Sequence, residues 1–268
     1  MQSQSPASDL LEVRRARPLL GTLVEIRAAS VRGAGEEARL HAAIDAAFAQ
    51  IERVHSLMSY QDPDSELSRL NRSEPGHTHR VDPHTFHVVT AAVKFARLSG
   101  GAFNPCVADA LADWEDIELL GDNRIRLKRP LRIDLGGIAK GYAVDLAVGA
   151  LQDANVIEIL VNAGGDIRVA GTHTHEVFLR DPLAPTKGVH PLQLRNGALA
   201  TSAAYFSSAL VDPRTKAPYV GNEAVSIRAD DCMTADALTK IVLFAPRETA
   251  ERMLDEFRAE AFLLQGTV

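Results

Sequence analysis

Little in this sequence points to crosslinks, membranes or nucleic acid. Two cysteines in 268 residues, Cys106 and Cys232, make no disulfide framework, and neither has the C-x-x-C spacing of a zinc or redox site. Buried, inert thiols are expected. No apolar run approaches the length of a membrane span, and the opening residues lack the apolar core that drives secretion. The chain as written is therefore expected to be soluble and cytoplasmic, or periplasmic if it lacks a signal peptide. Positive charge is also short: 29 Lys and Arg against 35 Asp and Glu leave a formal net charge of −6. That balance argues against a nucleic-acid partner, which needs a basic face to neutralise phosphates. The one basic cluster, Arg14, Arg15 and Arg17, reads as a solvated lead-in to the first strand. The nine histidines lack zinc-site spacing. There is no repeat, no evident linker, and no low-complexity run longer than the polar start from Met1 to Ser8.

What remains is a chain 46% hydrophobic, long enough to bury a substantial core. The expected organisation is a polar, basic lead-in over 1–18 followed by a single domain over 19–268. Thr22 to Arg27 alternates as a strand, and Leu40, Ile44, Phe48, Ile51, Val54 and Met58 recur at steps of three and four, predicting a long amphipathic helix from Gly35 to Ser59. A short helix is expected over 65–71 with Asp64 as N-cap, then helices over 83–98 and 103–114. Strands are predicted at 131–135, 157–162, 167–169, 176–179, 198–201, 208–211, 224–227 and 261–264, and helices at 139–151, 233–244 and 247–258. Strands and helices mix without strict βαβ alternation, so the class predicted is α+β.

The stretch Asp134-Leu135-Gly136-Gly137-Ile138-Ala139-Lys140-Gly141-Tyr142 concentrates the chemistry. It places an acid, two adjacent glycines and a lysine where a strand is expected to enter a helix. Glycines permit close backbone approach, so helix-start N–H groups can face an anion while Lys140 adds positive charge. That suits a phosphorylated ligand. It matches neither the dinucleotide fingerprint nor the P-loop, and taken alone it also fits a tight turn with a solvated lysine.

Further segments occur in a telling order: Leu20-Gly21-Thr22; Met58-Ser59 and then Asp64 through Asn71; Gly101-Ala102-Phe103-Asn104-Pro105; Asp134 through Tyr142; Asn162-Ala163-Gly164-Gly165-Asp166; Thr201-Ser202; Asp212-Pro213-Arg214-Thr215; and Ala235-Asp236-Ala237-Leu238. Together they resemble the FAD:protein FMN transferase family, often called ApbE. The resemblance implies an ApbE-like arrangement of mixed sheets with flanking helices. It also implies an enzyme that binds FAD, cleaves its pyrophosphate with Mg²⁺, and attaches FMN through a phosphoester to a Thr or Ser of an acceptor protein, releasing AMP.

Carried over residue by residue, the resemblance implies that Asp134 and Lys140 contact the flavin nucleotide, that the Gly137 carbonyl and Asp236 hold the metal, and that Ala102, Phe103 and Asn104 lie in a flavin-contacting loop. Loop packing is the alternative for those three. Tyr60 and Gln61 stand where an aromatic flavin contact is usual. Three departures accompany the match. The position four after Asp236, commonly a metal-shell threonine, is Lys240; the nearest hydroxyl, Thr239, is rotated by about 100° on a helix. A histidine common three residues before Asp212 is Ala209. Gln61 replaces the aromatic, with Tyr60 beside it. An ammonium cannot ligate magnesium, so Lys240 is expected to approach the pyrophosphate and substitute in part for the cation. A flavin-binding protein without transfer activity and a Mg²⁺-dependent FAD pyrophosphatase are the alternative functions.

Overall fold

The computed structural model describes residues 9–107, 109, 113–182, 184, 188–203 and 210–265. The chain opens with β1 (Leu10–Leu19), β2 (Thr22–Val31), α1 (Glu36–Met58), α2 (Glu66–Asn71), β3 (Thr78–Arg80) and α3 (Pro83–Leu98). It continues through β4 (Ile117–Leu119), β5 (Arg124–Leu127), α4 (Ala139–Asp153), β6 (Glu158–Ala163), β7 (Asp166–Ala170), β8 (His175–Arg180) and β9 (Gly188–Leu194). It closes with β10 (Gly197–Ala203), β11 (Glu223–Ala229), α5 (Cys232–Phe244), α6 (Arg247–Glu256) and β12 (Glu260–Gln265). The predicted α+β class is what forms.

A seven-stranded sheet in the order β1-β2-β6-β7-β10-β11-β12, antiparallel at every pairing, organises the molecule. Strand β6 shows why it sits centrally. Alternate residues Ile159, Val161 and Ala163 join the main core, while Leu160 joins a second cluster with Val169, Leu199 and four residues of β8 and β9. Period-two alternation with apolar residues on both sides requires cover on both faces. Helices α1, α4 and α5 cover one face and the β8–β9 hairpin the other. The stripe foreseen on α1 is buried from Leu40 to Met58.

The structure departs from the sequence reading in several places, and strands β3, β4, β5 and β9 were not predicted. Leu10–Leu19, which begins inside the expected lead-in over 1–18, is the edge strand β1. Its arginines are engaged: Arg15 and Arg17 meet Asp45 at 2.9 and 2.6 Å, Arg17 meets Glu52 at 3.1 Å, and the Arg17 guanidinium lies 4.5 Å from the Phe48 ring centroid. Residues 131–135 form no strand, because their partners are not a neighbouring strand. The Asn71 side chain accepts from Ile133 N–H at 2.9 Å and donates to its carbonyl at 2.8 Å, and Asp134 N–H donates to the Pro105 carbonyl at 2.7 Å. The helix expected over 103–114 is absent from the described part: Asn104 Oδ1 accepts from Cys106 N–H at 2.8 Å and turns the chain, and a short 3₁₀ segment follows at Trp114–Asp116. Ser65, not Asp64, caps α2, its hydroxyl accepting from Ser68 N–H at 3.0 Å. Of the strand expected at 208–211, residues 208 and 209 lie outside the described residues, and Val211 pairs singly with Pro218.

Two tight turns bring the sheet's end toward one cleft. Leu19 pairs with Thr22 across the two-residue loop Leu20-Gly21, whose φ values of 54° and 71° are both positive, as a type I′ hairpin requires. Ala163 pairs with Asp166 across Gly164-Gly165. A Cβ on Gly164 would lie 2.4 Å from Thr22 Oγ1, so only glycine lets the two tips pack side by side.

Candidate active site

Gly141 fixes the depth at which α5 crosses α4. A Cβ there would lie 2.3 Å from the Cys232 carbonyl oxygen and 2.8 Å from Met233 N, so the helices touch backbone to backbone. The crossing is clamped by Asp145 of α4, which accepts from Cys232 N–H at 2.9 Å and Met233 N–H at 2.8 Å and pairs with Arg168 of β7 at 2.7 Å. One turn further along α5, the close approach lets Asp236 Oδ2 accept from Gly141 N–H at 3.2 Å. Residues far apart in sequence thereby share one site.

Above this crossing opens a cleft of about 830 Å³, within the range of small-molecule sites. Its walls are the two hairpin tips, the end of α1 with the segment after it, the loop around Phe103, the diglycine turn, and Thr201 to Ala203 of β10. Tyr60, Gln61, Ala102, Phe103, Asn104, Asp134, Gly137, Lys140 and Lys240, all predicted site residues, line it. A second cavity, about 470 Å³ between β8 and the sheet, is lined by none of the residues predicted to hold flavin.

Several of these side chains have structural duties as well. Asp134 Oδ1 accepts from Gly136 N–H at 2.8 Å, closing the diglycine turn on itself. Asn104 is spent on its own loop, donating to Asp113 Oδ1 at 2.8 Å while accepting from Cys106. Phe103 is buried against Phe95, with ring centroids 6.1 Å apart, and its Cε2 lies 3.3 Å from where a Gly137 Cβ would stand. It is both core and cleft wall. Tyr60 is half-buried and Gln61 exposed. At the start of α4, the cap residue Ile138 offers no side-chain acceptor to the first-turn N–H groups.

Two ion pairs form the floor. Lys140 Nζ pairs with Asp166, which is 1% exposed, and Lys240 Nζ pairs with Asp236 Oδ1 and also donates to the Asp236 carbonyl at 3.1 Å. Burial alone would raise the Asp236 pKa, but Lys240 and Lys140 together with the Gly141 hydrogen bond outweigh it and hold the carboxyl below its ordinary value. Burial, reinforced by Lys240 and opposed by Asp236, holds Lys140 below the usual lysine range. Thr239 does not line the cleft. Fully buried, its hydroxyl donates to the Asp236 carbonyl at 2.6 Å and shares a hydrogen bond with Ser202 at 2.8 Å.

Sequence reasoning did not foresee Asp166 as the partner of Lys140, although a buried lysine in a motif signals a need for one. Nor could it place the histidines. His55, near the end of α1, lines the cleft, whereas His190 sits on β9 beside Phe262. Ala209 lies outside the described residues.

The sequence profile of the ApbE family matches residues 20–263. The chain belongs to the ApbE family. Similar curated proteins include the FAD:protein FMN transferase of Vibrio cholerae serotype O1, 26% identical over 269 residues covering 85% of this chain and 79% of that protein. Another is the FAD:protein FMN transferase of Treponema pallidum, 28% identical over 300 residues, 92% of this chain and 82% of that one. Among solved structures, the ApbE protein of Thermotoga maritima superposes with a TM-score of 0.81 at 25% identity, covering 96% of this chain and 97% of that one. The flavin transferase ApbE of Vibrio cholerae superposes with a TM-score of 0.80 at 23% identity, covering 96% of this chain and 94% of that one. In this ApbE-family chain most of the ordered segments that carry the family resemblance line the cleft, while Asp64 through Asn71 and Ala235 through Leu238 do not.

Proposed function

We propose that this chain is an FAD:protein FMN transferase that uses the cleft to bind FAD and transfers FMN to a Thr or Ser hydroxyl of an acceptor protein. The observation that carries the reading is the convergence of most of the family's segments, from Gly21 to Pro213, on one cleft of dinucleotide size with Lys140 and Lys240 at its floor and Asp236 behind Lys240. In the reaction the acceptor oxygen forms a bond to the FMN-side phosphorus. The phosphoanhydride bond breaks, AMP leaves with the bridging oxygen, and the hydroxyl proton passes to a base. Among the described residues lining the cleft His55 carries the only imidazole, and we assign it that proton. Positive charge at the floor offsets the charge of the phosphates.

Mg²⁺ chemistry would call on Gly137, Asp236 and Thr239. The partners of Asp236 and Thr239 do not suit a divalent ion here. Asp236 holds a donor on each carboxylate oxygen, one of them an ammonium, and the Thr239 hydroxyl is engaged with Ser202 and the Asp236 carbonyl. Hard cations take oxygen donors free of competing positive charge.

The test is to incubate the protein with FAD, with and without an acceptor bearing a Thr-containing flavinylation segment. AMP release together with covalently fluorescent acceptor supports transfer. AMP release without acceptor labelling would instead identify a pyrophosphatase, and FAD binding without AMP a flavin carrier.

A further inference from the structure

Lys240 is built into the floor of the cleft as a fixed charge. Its Nζ is anchored by the Asp236 carboxylate and the Asp236 carbonyl, and its stem lies across the diglycine turn, with Cε 3.3 Å and Cδ 3.7 Å from where a Gly137 Cβ would stand. The side chain is 17% exposed and lines the cleft. It is neither a solvated surface lysine nor a sealed structural one.

The surrounding charges explain what this lysine does. The floor carries Lys140 with Asp166 and Lys240 with Asp236, a formally neutral quartet. Without Lys240 the quartet would be negative, and a cation would be needed on Asp236 before a phosphate could approach. With Lys240 present, a divalent ion at the same carboxylate would face an ammonium bonded to it, and like charges at contact distance disfavour both. Lysine ammonium is a compact, hydrated point charge with three donors, suited to phosphate oxygens as well as carboxylate. Asp236 holds it by two donors, one to the carboxylate and one to the carbonyl, and the third remains for a ligand.

We propose that the Lys240 ammonium is the resident cation of this site, holding the pyrophosphate of FAD in place of a divalent metal, so that FAD binding is independent of Mg²⁺. The inference rests on the reading of the cleft as an FAD site, and the test separates the two. FAD affinity of the full chain is measured by flavin fluorescence in EDTA and in Mg²⁺, for the wild type and for Lys240→Thr, and Mn²⁺ affinity of both is measured by electron paramagnetic resonance. Wild type should bind FAD equally in both buffers. Lys240→Thr should bind FAD about tenfold or more weakly in EDTA, the loss expected for one charge-assisted hydrogen bond, and recover in Mg²⁺. It should also bind Mn²⁺ more tightly than wild type. A wild type that needs Mg²⁺ to bind FAD, or that takes Mn²⁺ as tightly as the variant, overturns the resident cation and leaves the FAD site standing. A wild type that binds FAD in neither buffer overturns the FAD site and this inference with it. If Lys240→Thr fails to fold, the wild-type comparison between EDTA and Mg²⁺ still decides.

Discussion

Replacing Gly141 by alanine adds one methyl group at the contact that sets the whole site. The new Cβ would stand 2.3 Å from the Cys232 carbonyl oxygen, 2.6 Å from its carbon and 2.8 Å from Met233 N. All three are backbone atoms, so no side-chain rotation relieves the clash and α5 must move outward by about 1 Å to reach ordinary contact. Overpacking of this kind costs about 1–3 kcal/mol. The same movement stretches the 3.2 Å bond from Gly141 N–H to Asp236 Oδ2, and weakening a hydrogen bond to a charged group adds about 1.5 kcal/mol. A sum near 3 kcal/mol should lower Tm by about 6–12 °C for a domain of this size. Because Asp236 and Lys240 ride on α5, FAD affinity should fall as well. Gly149 lies in the same helix with nothing within 4 Å of its Cβ position, so Gly149→Ala should stabilise by about 0.5–1 kcal/mol through helix propensity alone. Thermal denaturation and FAD titration of both variants form the assay. If Gly141→Ala melts and binds FAD like Gly149→Ala, the crossing does not position the site and the reasoning is wrong.

Other consequences follow from the floor and walls of the cleft. Lys140→Met strands the Asp166 carboxylate, 2% exposed at its side chain, and should cost about 3 kcal/mol by urea denaturation; adding Asp166→Asn should restore stability but not FAD affinity, and recovery of both would remove Lys140 from the ligand site. His55→Ala should slow transfer to the acceptor by about 10²-fold or more while leaving FAD affinity unchanged, and an unaltered single-turnover rate would refute its role as proton acceptor. Burial pushes the Cys106 thiol up to about 12 and the Cys232 thiol well above its ordinary value. Neither should react with a disulfide reagent at pH 8 until the protein is unfolded; labelling of the native protein at either position would contradict the packing.

Residue order alone determined the family, the α+β class, the burial stripe of α1 and the segments that build the cleft. Each of these is carried by local spacing: three-and-four periodicity reports one face of a helix, and adjacent glycines report a turn whichever elements lie beside them. The lysines were legible as positive charges near an expected phosphate site, but their partners were not. Lys140 finds Asp166 because the β6–β7 tip folds against the start of α4, and Lys240 stands over the diglycine turn because α5 crosses α4 at Gly141. The apolar segment 131–135 had the composition of a strand and became none, since Asn71, from a helix far upstream, took its central hydrogen bonds. In the same way the arginines of β1 looked like a polar lead-in until Asp45 and Glu52 of α1 were brought beside them. Periodicity encodes which face a residue turns inward. Which distant group meets it there depends on how the chain crosses itself, and that was decided only by backbone contacts between elements packed in three dimensions.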